Sequence, residues 1–265
     1  MNLRLLYERE KTLLLFSVLC LLGMIGCIFG LTVDSRFLMG APVWLKPLKF
    51  FISAGMFSLS AAWIMSIQSV NIKWLYPLFR HTLVFTLSFE LIYITWRAAL
   101  GQKSHFNYEN LFAIIMYSIM GFAIVAGIFV FLGLAIVLIK AGWLKSNDRV
   151  KEAVVFGLII TFVLGGGFGG YMSSQLGHLV GTNITDDTNG LPLLKWSTEF
   201  GDLRIAHFFG LHALQLLPIL AWLLRGRFAM RSRFALIGWV ILYCLFTIAL
   251  FVQAIYGEPI IGSLR

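Results

Sequence analysis

The chain has 265 residues, 59% of them hydrophobic and only 12% charged, with a mean hydropathy of +0.87 and a formal charge of +9 at pH 7. A soluble domain has too little interior to hide that much apolar surface, which excludes an ordinary globular protein of the aqueous phase. The positive charge does not point to nucleic acid. Lys and Arg collect in short stretches between apolar runs, where they orient a chain in a bilayer and meet anionic lipid.

A helix needs about 20 apolar residues to cross the hydrocarbon core. Taken in chain order, the apolar runs predict seven spans: 12–33, 46–68, 77–100, 108–140, 150–181, 204–225 and 233–256. The expected fold is all-α, a polytopic seven-helix bundle forming one transmembrane domain over 1–265. The first run follows Arg4, Arg9 and Lys11 as a signal peptide would. It exceeds the roughly 7–15 apolar residues of a signal sequence, and "MIGC" (Met24 to Cys27) only approximates a lipoprotein cleavage box, so it reads as a membrane helix. Pro47 and Pro77 suit the first turns of their helices. Pro218 falls mid-span and predicts a kink. Cys20, Cys27 and Cys244 lie in apolar runs without CxxC spacing and read as small buried hydrophobes.

Of the 21 Lys and Arg residues, thirteen fall on the side of the N-terminus, in the tail and in the loops after spans two, four and six. Eight fall opposite. The positive-inside rule then puts the N-terminus in the cytoplasm and the C-terminus outside. With that orientation His105, His178 and His207 collect near the outer interface, with His212 about 7 Å deeper at the helical rise.

On the third span Thr82, Thr86, Glu90, Tyr93 and Arg97 fall on one stripe at about 100° per residue. Glu90 sits near mid-bilayer, where a carboxylate needs a partner, water or a proton. It is too far along the helix from Arg97 for a direct pair, so each needs another partner. On the fifth span Gly166, Gly170, Ser173, Gly177 and Gly181 predict a ridge for close helix approach. Tyr171, Gln175, His178 and Thr182 mark a second, roughly opposite face. On the sixth, Arg204, His207, Leu211 and Gln215 share a face, with His212 on its flank. Asp202 precedes that helix, placed either to cap it or to orient an imidazole. Lys46 and Lys49 in the first outer segment suit anionic headgroups or an anionic substrate, and Gln102 and Asn107 add polar contacts in the loop after span three.

The stretches "WLKPLKF", "GQKSHFN" and "GDLRIAHFFGLHALQ" resemble segments of a family of bacterial polytopic inner-membrane proteins to which no activity is attached. The resemblance implies a bacterial inner-membrane setting. The residue inventory carries a first functional expectation, a membrane enzyme, redox or hydrolytic, acting on a lipid-soluble or small anionic substrate. His178, His207, His212 and His105 would hold haem or a transition metal, iron or zinc. Glu90, Arg97 and Asp202 would do the chemistry beside it. A zinc version resembles the seven-helix ceramidase and adiponectin-receptor hydrolases in general plan. Their HxxxH pair is absent, since His207 and His212 have one residue more between them. The alternatives are a proton-coupled transporter built on Glu90 and the histidines, or an accessory subunit. Retinal chemistry is excluded, because residues 234–256 contain no lysine.

Overall fold

The computed structural model describes residues 3–67, 74–175, 177–182, 190–226 and 232–261. Of the cations used for orientation, Lys73, Arg227, Arg231 and Arg265 lie outside the described residues. The contacts divide the chain into two compact units, Met1–Val130 and Phe131–Arg265.

The first unit contains α1 (Leu3–Val33), a hairpin of β1 (Phe37–Leu38) and β2 (Ala41–Pro42), α2 (Leu45–Ile67), α3 (Leu75–Ala99) and the start of α4 (Leu111–Lys140). Small residues let α1 and α2 lie close. The Phe51 ring fills the space a Cβ on Gly23 would take, and the Trp44 indole does the same at Gly30. The hairpin turns through Met39 and Gly40, both at positive φ, the combination whose twist matches a two-residue loop. Asp34 binds this segment together: it accepts from Arg36 Nε and Nη2 (2.9 and 2.7 Å) and from Trp44 Nε1 (2.8 Å). Arg36 also donates to the Ala99 carbonyl at the end of α3. Arg36 beside it holds the Asp34 carboxyl well below the usual carboxylate range. The stability this lends is present above the ordinary carboxylate pKa and is lost as pH falls through the lowered folded value.

The second unit holds the rest of α4, a 3-10 turn (Trp143–Lys145), α5 (Arg149–Ser174), β3 (Leu179–Val180), β4 (Gly201–Asp202), α6 (Leu203–Leu223) and α7 (Arg233–Ile255). β3 and β4 pair antiparallel, Leu179 opposite Asp202 and Val180 opposite Gly201. Asp148 caps α5, its carboxylate accepting from the backbone N–H of Val150 at 3.0 Å.

Where it crosses α6, α5 contains a π-turn at Thr161–Gly165; α6 is a continuous helix that carries Pro218. Thr161 Oγ1 donates to the Leu211 carbonyl (2.9 Å) and accepts from Leu214 N–H (3.2 Å), so one hydroxyl joins the two backbones. A Cβ on Gly157 would lie 2.8 Å from the Ala213 carbonyl oxygen, and one on Gly165 would lie 2.8 Å from Leu211 N. The close-packed ridge is therefore Gly157, Thr161, Gly165 and Gly169. A Cβ on Gly170 or Gly177 meets nothing within 4 Å, so the ridge expected through those two residues is corrected by one helical position. The expected fifth span also ends early. α5 stops at Ser174 and Gln175 is extended, so His178 and Thr182 do not continue its helical face.

Among the described residues, six helices are long and apolar enough to cross a membrane: α1, α2, α4, α5, α6 and α7. α3 has the length, 25 residues, but carries Arg80, His81, Glu90 and Arg97 and is not among the six.

Candidate functional sites

In the first unit two residues of the stripe expected on α3 meet α4. Thr86 is buried against Gly127, and Tyr93 packs with Ile94 and Met120. Beyond α3 the chain folds back. Arg97 Nε donates to the Lys103 carbonyl at 3.1 Å, and Asn107 Nδ2 donates to the same oxygen at 3.0 Å, which closes the turn around His105. His105 Nε2 thereby comes to 3.6 Å from Glu90 Oε1. That distance is an ion pair when the imidazole is protonated, and a small adjustment makes it a hydrogen bond. Ser104 Oγ lies 3.2 Å from the other ring nitrogen.

Aromatic rings surround the pair. The imidazole lies between Phe50 of α2 and Tyr117 of α4, with ring centroids 5.7 and 5.8 Å away. Lys46 Nζ sits over the Phe50 ring, 6.0 Å from its centroid. The Arg97 guanidinium sits over the Tyr93 ring. Tyr93 is 2% exposed, yet its hydroxyl has no hydrogen-bond partner among the described residues. Glu90 and His105 keep 13% and 21% of their side chains exposed. Lys49 is half-buried one turn from Lys46, and Gln102 is exposed in the loop.

In the second unit Asp202 has no exposed side-chain surface. Its carboxylate accepts from Arg204 N–H, Arg204 Nε and Nη2, and Ser197 N–H. It caps α6 and neutralises Arg204, which also donates to the Lys195 carbonyl. His207 Nδ1 lies 2.9 Å from the Gly165 carbonyl inside the π-turn. A carbonyl only accepts, so Nδ1 carries the proton, and in the neutral ring Nε2 keeps the lone pair. Gly169 makes room for that ring, because a Cβ there would lie 2.6 Å from Cε1. His212 is buried against Phe208, ring centroids 4.4 Å apart, three residues before the buried Gln215. His178 is buried before β3, and its carbonyl accepts from Leu203 N–H. Gln175 ends α5, half-buried.

Among the described residues, no three His, Cys, Asp or Glu side chains converge as a metal-binding group. The structure thus draws the expected residues into two sets, one in each unit. Glu90, His105, Lys46, Tyr93, Arg97 and Asn107 form the first. Asp202, Arg204, His207, His212 and Gln215 line or precede α6 in the second. Tyr117 is a contributor that helix periodicity missed. Its signal was its place, with Ser118, as a polar interruption early in an otherwise apolar run.

No protein-family model, curated protein or solved structure matches the chain. Its class therefore rests on the fold: among the described residues, six helices long and apolar enough to span a bilayer make this a multi-pass, all-helical membrane protein.

Proposed function

We propose that this is a seven-span protein of the bacterial inner membrane that couples proton exchange at Glu90 and His105 to the transport of a small anionic solute. The observation that carries the reading is the 3.6 Å approach of His105 Nε2 to Glu90 Oε1. Carboxylate and imidazole at that separation pass a proton between them with little rearrangement. Lys46, over the Phe50 ring that packs against His105, supplies positive charge, and the buried Tyr93 hydroxyl supplies a donor for an acceptor atom of the solute.

α3 is the seventh span in this reading. A charged helix stands in hydrocarbon when its polar groups are matched inside the protein. Arg80 pairs with Glu10, Glu90 with His105, and Arg97 with the Lys103 carbonyl. Seven spans put the two termini on opposite sides. A periplasm-active reporter fused after residue 265 is therefore active, whereas a cytoplasmic readout there removes α3 from the membrane.

The test of the site needs no substrate. Infrared difference spectra of reconstituted protein, taken across a pH step, show a carboxylic-acid band that vanishes in Glu90→Gln and shifts in His105→Ala. A band unchanged by Glu90→Gln means that Glu90 does not carry the proton, and the reading falls.

A second reading, haem or a single metal ion held by His207, is supported by the Nδ1–Gly165 contact. Metal-bound histidines are commonly oriented by such a carbonyl, which leaves Nε2 to coordinate. Elemental analysis of the same preparation separates the two. Iron or zinc near one per chain, lost in His207→Ala, establishes the second reading, and metal-free protein with the infrared signature rejects it.

A further inference from the structure

We propose that the cavity between the start of α5 and the end of α6 binds the headgroup of an anionic phospholipid, with a phosphoglycerol headgroup preferred. This inference rests on the membrane class of the protein and is independent of the proton site.

The cavity is a cleft of about 580 Å³, open to the surface. Asn147, Asp148 and Arg149 line one wall, and Trp222 and Arg225 line the other. It lies where two spanning helices reach their ends, α5 starting at Arg149 and α6 ending at Leu223. That is the depth of lipid headgroups, and the half-exposed Trp222 is of the residue type enriched there.

The charges differ in how far they are already committed. Arg149 Nη1 donates to the buried carboxylate of Glu152, and Arg233 Nε approaches the same carboxylate at 3.8 Å. Arg225 has no such carboxylate among the described residues. Its guanidinium lies over the Trp222 ring, 5.1 Å from the centroid. A cation–π contact uses none of the guanidinium N–H donors, so they stay available for an oxyanion such as a phosphate.

Asp148 sets the preference. Its carboxylate caps α5 and also lines the cavity. A carboxylate repels a free phosphate dianion, but it accepts from the hydroxyls of a glycerol headgroup whose phosphodiester carries one negative charge. A basic pocket between membrane helices is a recognised form of headgroup site.

The experiment uses full-length protein, delipidated in neutral detergent. Phosphatidylglycerol, phosphatidylcholine or inorganic phosphate is added, and bound lipid is read by native mass spectrometry with Tm measured in parallel. The wild type retains phosphatidylglycerol about tenfold more than phosphatidylcholine, and Arg225→Gln brings the two to parity, the scale of losing one charge-assisted contact. Arg225→Gln keeps the lipid-free Tm, because Arg225 anchors no buried carboxylate. Equal retention of the two lipids by the wild type overturns the proposal, as does an unchanged preference in Arg225→Gln. Inorganic phosphate raising Tm as much as phosphatidylglycerol also overturns it, and assigns the cavity to a soluble anion. If Arg225→Gln lowers the lipid-free Tm, Arg225→Lys decides: it keeps the charge, and loss of the preference in that variant too overturns a charge-based site.

Discussion

Arg80→Ala lowers the stability of the folded protein by about 3–5 kcal/mol, the scale of stranding a buried carboxylate without its partner. Glu10 is 2% exposed and sits where the backbone of α1 leaves helical geometry, at φ −131° and ψ 40°. Arg80 Nε and Nη2 reach its two oxygens at 2.9 and 3.0 Å, a bidentate pair joining α1 to α3. Arg80 adds a contact to the Arg9 carbonyl, and Arg9 donates to the Ser66 carbonyl at the end of α2. One cluster therefore gathers three helices. Unfolding in detergent with increasing denaturant checks the magnitude, and the double variant Glu10→Gln with Arg80→Met recovers much of the loss because no charge is left buried. A loss below about 1 kcal/mol in Arg80→Ala would instead mark the pair as one of the weak, solvated kind.

That cluster also shows what the sequence hides. Arg80 counted as one more cation at a membrane face, and nothing in its local pattern reveals that Glu10, seventy positions earlier, takes up its charge. The helices themselves were legible, because their apolar runs are long: the second was expected at 46–68 and runs Leu45–Ile67. The stripe on α3 was legible for the same reason, since one period of 3.6 residues governs all of it.

The path of a loop is not periodic. His105 was placed near the outer interface and Glu90 deep in the bilayer, and only the return of the chain after Arg97, fixed by two donors on the Lys103 carbonyl, brings them together. Glycines 165, 166, 167, 169 and 170 offer more than one ridge at four-residue spacing. The choice belongs to the neighbouring helix: Leu211 and His207 select Gly165 and Gly169. Asp202 had two readings from sequence, capping or orienting an imidazole. In the structure it caps α6 and binds Arg204.

Gly210→Ala is expected to destabilise the protein by about 3 kcal/mol, the upper end of what overpacking costs. A Cβ at Gly210 would lie 2.7 Å from Gly165 N, 2.8 Å from Gly165 Cα and 2.9 Å from the Leu164 carbonyl carbon. These are backbone atoms, so no side chain can rotate aside, and the methyl forces α5 and α6 apart. Separation stretches both hydrogen bonds of Thr161 and pulls the Gly165 carbonyl from His207, so one methyl group disturbs the crossing and the imidazole together. Gly167→Ala is the control. Its Cβ meets nothing within 4 Å, and replacing a helical glycine with alanine gains up to about 1 kcal/mol. Thermal unfolding of the two variants beside the wild type gives the comparison, with the His207 ring resonances reporting loss of the Gly165 contact in Gly210→Ala alone. Equal stability of the two variants would mean that α5 and α6 do not cross at backbone contact.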